Sequence, residues 1–372
     1  MSNEMLRDAV DLWQRNKLGA DATYGPMSQW DTSQVTDMSR LFEGAVDFNS
    51  NDLQSWDTSR VTSFSYIFAG CRTFNQPLNM WDLSSARNLE GMLNGAQTFN
   101  QYLTTGGWQQ TSNVTSMAAM FKGASSFNGD VSGLDTSNVE NMSLMFYQAS
   151  SFEGTGVEKW DVSNVERMDR LFMGASSFNG EVQEWKPQKA ATMFSMFEDA
   201  VSFSQDLNSW RQYLSRELIN ISKMFNHAQT FQYAICWPNL NPRIQAYNIF
   251  CGSPGSLRPS CFTPSVVDWA ASCDSATSES STTMSSNHIS HETGFDILAS
   301  EPSQQQGGTQ LSSTESPTTP ANSEEQTPQV ILAIQENQES VTSTGTTIYV
   351  KLFSTGTLAT LLGVSWLSWI VL

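Results

Sequence analysis

Apolar residues recur along the chain at a spacing of 25 to 27 residues. Self-similarity at a fixed period indicates a repeat architecture, because one such unit cannot bury its apolar face without neighbours. We therefore predict a stack of eight units over residues 30–236, with a degenerate ninth starting at Trp237. The eight units begin at Trp30, Trp56, Trp81, Trp108, Leu134, Trp160, Trp185 and Trp210.

An apolar ladder within each unit predicts a short helix. Val35, Met38 and Phe42 in the first unit are spaced by three and four residues, which suits one face of a helix. A Thr-Ser pair starting at Thr32 precedes the ladder and is typical of a helix N-cap, while Gly44 follows where the helix should end. A stretch spaced like a brief strand comes next. The fold class predicted is an α/β repeat solenoid.

Equivalent residues of the stacked units should form columns in a shared core. Cys71 occupies an alanine position in one column, which predicts a buried and inert thiol. The tryptophan column is interpreted as core packing, with an exposed sugar-stacking platform as the alternative. The phenylalanine column is unbroken and comprises Phe48, Phe74, Phe99, Phe127, Phe152, Phe178, Phe203 and Phe231.

An aspartate follows the leading residue in five units, at Asp31, Asp57, Asp82, Asp135 and Asp161. Such a carboxylate column could collect calcium. We favour the interpretation that each aspartate bonds backbone amides at a turn. Three units lack the aspartate, which supports that choice; they carry Gln109, Lys186 and Arg211 instead.

The shared pattern WDTSxVTxMxxMFxGAxxFN resembles the repeat of the BspA-like bacterial surface proteins and of mycoplasma and listerial lipoproteins. The resemblance covers residues 30–236. It implies a solenoid of leucine-rich-repeat-like coils, each a short parallel strand plus a short helix. It also implies a surface or secreted location and a role in adhesion or recognition, and it implies no catalytic residues.

The N-terminal residues 1–29 predict a capping helix and a linker. Leu6, Val10 and Trp13 would share one helical face, with Asn3 as the N-cap. A helix over the first coil would cover apolar surface and a free strand edge. No apolar signal segment precedes the repeats.

Four cysteines fall in a non-repetitive segment, which predicts a disulfide-stapled C-terminal cap over residues 237–274. The alternative is four unpaired thiols in a loop, and the spacing leaves the connectivity open. The candidates are Cys236, Cys251, Cys261 and Cys273.

Residues 275–346 are rich in Ser and Thr and predict a disordered stalk. Residues 347–372 predict a hydrophobic membrane anchor or GPI signal, with attachment at Ser343, Thr344 or Gly345. A plain membrane span and a tail anchor remain open alternatives, and a tail anchor would leave the repeats in the cytosol.

The inventory of catalytic residues is small. The chain has 3 histidines, of which His288 and His291 fall in the predicted stalk and His227 in the repeats. No phosphate-binding loop or nucleophile motif occurs, so we predict no enzyme, no cofactor and no metal. N-glycosylation sequons occur at Asn113, Asn141 and Asn220.

The acidic composition, with 37 Asp and Glu against 19 Lys and Arg, argues against a nucleic-acid partner. We predict a surface-displayed, non-catalytic binding or adhesion module for an unknown protein or glycan, held to a membrane by its C-terminal segment. The alternatives are an intracellular tail-anchored scaffold and a carbohydrate-active enzyme, which would need an acid pair. Predicted contact positions are Arg40, Arg60, Lys122, Tyr147 and Met173.

Overall fold

The computed structural model describes residues 1–262, residue 273, and the backbone of residues 342–343 and 346–347. Contacts divide the chain into a first part, Met1–Ser285, and a second part, Ser286–Leu372. The second part contains strands β3 (Thr342–Ser343) and β4 (Thr346–Thr347), which pair antiparallel. The rest of the predicted stalk, the predicted anchor at 347–372 beyond β4, and Thr344, Gly345, His288 and His291 lie outside the described residues.

Two α-helices open the first part, α1 (Asn3–Arg15) and α2 (Lys17–Tyr24). Ser2 is the N-cap of α1, since its side chain accepts a hydrogen bond from the Met5 amide. The prediction of Asn3 as N-cap is wrong, because Asn3 is already helical and its Oδ1 accepts from the Thr36 amide at 2.9 Å. Helix α2 lies where the sequence predicted a linker.

The regular elements of the repeats are short. Strands β1 (Ala234–Ile235) and β2 (Ser256–Leu257) pair in parallel. The 3₁₀ helices span Met27–Gln29, Asn51–Ser55, Gly106–Gln110, Val157–Lys159, Asn208–Gln212 and Pro259–Cys261.

Single parallel bridges join each unit to the next. The pattern runs past residue 236, because Asn220 of the eighth unit bridges to Gln245. Residues 237–257 therefore stack as the degenerate ninth unit predicted to start at Trp237, within the segment that was also predicted to form a disulfide-stapled cap. The bridging residues are Asp37, Ser63, Asn88, Ser116, Asn141, Arg167, Thr192, Asn220 and Gln245.

The apolar ladders form consecutive tight turns in place of the predicted short helices. Every second backbone amide of the ladder donates a hydrogen bond to the next unit. The amides of Phe64 and Tyr66 donate to the carbonyls of Asn88 and Glu90 at 3.0 and 2.8 Å. The next amide, that of Ile67, donates within the unit to the Phe64 carbonyl at 3.2 Å. An α-helix would send every amide four residues back within the unit. Spacings of three and four residues therefore arise here from turns that also bond to the next unit.

Two positions per unit have a left-handed backbone. They are the third and seventh residues after the bridging residue, and in unit 2 they are Tyr66 (φ 57°) and Gly70 (φ 76°). The glycines predicted to end helices occupy the seventh position, where positive φ favours glycine. The third position has other residues at the same conformation: Arg40, Tyr66, Ala119, Leu144, Arg170, Ser195, Lys223 and Asn248.

Stacked rings form the core. Successive rings lie about 6 Å apart, as between Phe74 and Phe99 (6.1 Å) and between Trp185 and Trp210 (6.3 Å). The leading tryptophans of the units are at most 5% exposed, so an exposed sugar-stacking platform is excluded. Cys71 is fully buried in its column. Ring stacking runs without a break from Phe48 to Phe231 in the phenylalanine column, whereas Leu134 interrupts the tryptophan column.

Threonine and asparagine side chains also bond between units. Thr58 Oγ1 donates to the Asp82 carbonyl at 3.0 Å and accepts from the Asp82 amide at 2.8 Å. The Thr-Ser pairs are therefore not helix caps, because their threonines join neighbouring units. At another corner, Asn75 Oδ1 accepts from the Asn100 amide of the next unit at 2.9 Å.

The aspartates after the leading tryptophans bond locally, as the sequence interpretation favoured. Asp57 Oδ1 accepts from the Ser59 amide at 3.0 Å and from the Ser59 hydroxyl at 2.6 Å. These hydrogen bonds, the hydroxyl first, lower the pKa of Asp57 from its usual value. Each such aspartate orders its turn.

Helix α1 covers the free edge of unit 1. Arg7 Nη1 donates to the Ser39 carbonyl at 2.6 Å, and Gln14 Nε2 donates to the Leu41 carbonyl at 3.1 Å. In later units these carbonyl positions accept amides of the preceding unit. Side chains of the helix therefore supply the hydrogen-bond donors that a preceding unit would otherwise provide.

Candidate binding site on the turn face

The tight turns of all units form one surface, which we call the turn face. It comprises the second, third, sixth and seventh residues after each bridging residue, which in unit 1 are Ser39, Arg40, Glu43 and Gly44. Cross-unit backbone bonds hold this face, while its side chains change from unit to unit. The sixth position, for example, is Glu43, Ala69, Asn94, Lys122, Tyr147, Met173, Glu198, Asn226 and Cys251.

Four of the five predicted contact residues lie on the turn face. Lys122, Tyr147 and Met173 take the sixth position in three consecutive units, and Arg40 takes a third position. Lys122 Nζ lies 5.5 Å from the centre of the Tyr147 ring. Arg60 precedes its bridging residue and donates to Gln34 Oε1 at 2.9 Å, so it does not join this group.

Cations lie over aromatic rings of neighbouring units on this face. The Arg40 guanidinium is 4.7 Å from the Tyr66 ring centre, and that of Arg170 is 5.0 Å from the Phe194 ring centre. Tyr66 also donates to Glu90 Oε1 at 2.9 Å. Burial and then the Glu90 carboxylate raise the pKa of Tyr66 to about 12. The phenol therefore stays a hydrogen-bond donor at neutral pH.

Small residues occupy the third position of the turn face in units 3 and 4, and the second position in unit 4. Gly91, Ala118 and Ala119 are buried there. A Cβ on Gly91 would lie 2.3 Å from the Tyr66 ring, so glycine leaves room for this ring. Leu144 follows in the next unit at φ 62°. Units 3 and 4 thus combine small residues at the third position with Glu90, Asn94 and Lys122 at other positions of the face.

Polar side chains collect on the turn face of units 7 and 8. Glu198 is only 7% exposed, and its Oε1 accepts from Asn226 Nδ2 at 2.7 Å. The same oxygen lies 3.9 Å from Lys223 Nζ. Asp199 and His227 replace glycine at the seventh position and pair at 3.1 Å. This cluster was not predicted from the sequence, although the loss of glycine at both positions was a visible signal.

The sequons differ in exposure. Asn113 is exposed, and its Nδ2 donates to the Ser84 carbonyl at 2.7 Å. Asn141 and Asn220 are half-buried bridging residues whose Oδ1 atoms accept amides at 3.0 and 2.9 Å. A glycan would therefore meet the least hindrance at Asn113.

The four candidate cysteines form two disulfides, Cys236–Cys261 and Cys251–Cys273. The first joins the end of unit 8 to the 3₁₀ helix at Pro259–Cys261, and the second starts from the turn face of unit 9. Burial raises the pKa of the free Cys71 thiol to about 12. The thiol thus stays protonated and unreactive at neutral pH.

Other candidate sites are few in the part of the chain that the structure describes. It holds no group of three His, Cys, Asp or Glu residues that could bind a metal ion. A cleft of about 370 Å³ lies at unit 9 and is lined by Trp237, Leu240, Ile244 and Phe262 among others. Among the same residues, no helix has the length and apolar character needed to cross a bilayer.

Units that bond through successive parallel bridges and share continuous ring columns make this a repeat protein. A family model described as "Mycoplasma protein of unknown function, DUF285" matches residues 14–133, 106–156 and 125–237, and the chain belongs to this family. Comparison with curated proteins and with solved structures gives no match.

Proposed function

We propose that the protein is a surface-displayed, non-catalytic binding protein whose turn face recognises a protein or glycan, as in BspA-like adhesins. The observation that carries the proposal is the contrast between the core and this face. Ring columns repeat from unit to unit, whereas the sixth position changes character from Lys122 to Tyr147 to Met173. A constant core with variable exposed positions is how repeat proteins present binding surfaces.

The proposed architecture is a leucine-rich-repeat-like solenoid, supported by the parallel bridges between successive units. Two disulfides near the end of the array support an oxidising and therefore extracytosolic location. Aromatic, Met and Arg side chains, which are enriched at protein interfaces, are present on the face as Tyr147, Met173 and Arg170.

Binding is tested with full-length protein on a panel of extracellular-matrix proteins and an array of immobilised glycans. We expect a hit whose affinity falls at least tenfold in the double variant Tyr147→Ser, Met173→Ser. Arg60→Ser, outside the turn face, is the matched control and should bind like the wild type. Equal loss in both variants, or no effect of the double variant, would contradict the proposed face.

Location is tested with an epitope tag inserted at Ser312. Loss of the tag when protease is added to intact cells supports surface display. Protection of the tag until the membrane is permeabilised favours the alternative of an intracellular tail-anchored scaffold.

A further inference from the structure

Glu198 is the one charged residue that is buried among residues 1–262, with 7% of its surface exposed. Carboxylates are rarely buried without partners, because removing a charge from water is unfavourable. Its partners are the side-chain amide of Asn226 and the side-chain amine of Lys223. Asn226 is 8% exposed, and the Lys223 side chain is 43% exposed. The site therefore holds a proton acceptor, the Glu198 carboxylate, beside a nucleophilic amine on Lys223 and a carboxamide on Asn226.

One oxygen contacts both nitrogen groups. Glu198 Oε1 accepts from Asn226 Nδ2 at 2.7 Å and lies 3.9 Å from Lys223 Nζ. Lys223 and Asn226 belong to the same turn, which is closed by the Asn226 amide bonding to the Lys223 carbonyl at 3.1 Å. Of the lysines the structure describes, Lys223 is the only one that pairs with a carboxylate. The amine and the carboxamide are thus both held near one proton acceptor, Glu198 Oε1.

We propose that Lys223 and Asn226 become joined by an isopeptide bond, with Glu198 transferring the protons. Glu198 takes a proton from Nζ, and the neutral amine attacks Cγ of Asn226. A bond forms between Nζ and Cγ while the bond between Cγ and Nδ2 breaks. Protons returned through Glu198 release Nδ2 as ammonium, and Glu198 ends as a carboxylate. The overall change converts an ammonium and a carboxamide into an amide and a free ammonium ion, without an oxidant or reductant.

Proximity favours this reaction. Asn226 Nδ2 and Lys223 Nζ both approach the same oxygen of Glu198, and two groups held close together react as in an intramolecular step. The link would close the turn in which Lys223 has a left-handed backbone at φ 58°. A covalent closure holds this unfavourable conformation, and Glu198 can then accept from the new amide N–H.

Mass spectrometry of the reduced, denatured full chain tests the proposal. We expect the mass to be lower than that of the sequence by one ammonia, and a protease fragment in which Lys223 is linked to Asn226. Glu198→Gln and Lys223→Arg should restore the full mass. Asp199→Asn, which changes the neighbouring carboxylate that pairs with His227, should keep the loss.

Two results would overturn the proposal. A full-mass wild type would show that Lys223 and Glu198 form an ordinary ion pair. An ammonia loss that persists in Lys223→Arg would come from cyclisation of Asn226 onto its own backbone. Circular dichroism of each variant checks that a restored mass belongs to folded protein.

Discussion

Trp81 Nε1, at the start of unit 3, donates a hydrogen bond of 2.9 Å to the carbonyl oxygen of Leu53, which lies 28 residues earlier, near the end of unit 1. The same relationship recurs from Trp56 to Met27 and from Trp185 to Val157. Each of these tryptophans therefore buries apolar area and also donates a hydrogen bond to a backbone carbonyl 28 or 29 residues earlier in the chain. The leading tryptophan thus contributes to contact between units as well as to burial within one unit.

Replacing Trp81 with Phe should lower the free energy of unfolding by about 2–4 kcal/mol, because the buried Leu53 carbonyl loses one of its two donors, keeping the Trp56 amide, and a cavity remains. Chemical denaturation measures the change. Trp13→Phe is the control, since Trp13 Nε1 has no hydrogen-bond partner. Equal losses in both variants would mean that the cross-unit bond contributes nothing.

Two glycines should respond to alanine for different reasons. Gly44 has φ 77° with nothing within 4 Å of an added Cβ, so Gly44→Ala should lose about 1 kcal/mol from backbone strain. A Cβ on Gly107 would lie 1.7 Å from the Trp81 carbonyl oxygen, so Gly107→Ala should lose about 3 kcal/mol. Thermal unfolding of the two variants shows which loses more stability. A larger loss in Gly44→Ala than in Gly107→Ala would contradict the packing described.

Thr58→Val should be more destabilising than Thr62→Val. Thr58 is 1% exposed, and its hydroxyl satisfies both the amide and the carbonyl of Asp82. Leaving these buried groups unpaired is expected to remove about 1–3 kcal/mol. Thr62 is exposed, so water can replace its bond to the Thr36 carbonyl. Denaturation midpoints of both valine variants provide the measurement.

Removing the cap side chains should loosen the first unit selectively. In the double variant Arg7→Leu, Gln14→Leu, the carbonyls of Ser39 and Leu41 lose their donors. Amide hydrogen exchange should become faster in unit 1 and stay unchanged around Phe146. Lys17→Leu on helix α2 is the control. Uniform acceleration along the array would show that the units unfold together.

The buried thiol should make stability depend on alkaline pH. Burial raises the pKa of Cys71 from 9.0 to about 12, so above pH 9 the unfolded thiol releases a proton that the folded thiol keeps. The unfolded state is thereby favoured, and stability falls as pH rises towards 12. Cys71→Ala should show a smaller fall, measured by urea unfolding at each pH. The same slope in both proteins would contradict the assigned burial.

The repeat period and its columns could be read from the sequence because Phe74 and its equivalents recur at regular intervals. The local conformation could not. Met38 and Phe42 are spaced as in a helix, and only the path of alternate amides into the next unit distinguishes turns from a helix. That path depends on neighbours distant in sequence. The polar cluster around Glu198 was missed for the same reason, since its members come from two units.

Alternate amides on the turn face all donate towards the C-terminal neighbour, as from Phe42 to Ile67. The array therefore has polarity: its N-terminal end presents acceptors and its C-terminal end presents donors. Helix α1 meets the acceptors with the donors of Arg7 and Gln14. The same helix moved to the other end would place donors against donors. Lengthening by duplication of an internal unit preserves this pairing at both ends, whereas appending a unit beyond the helix does not.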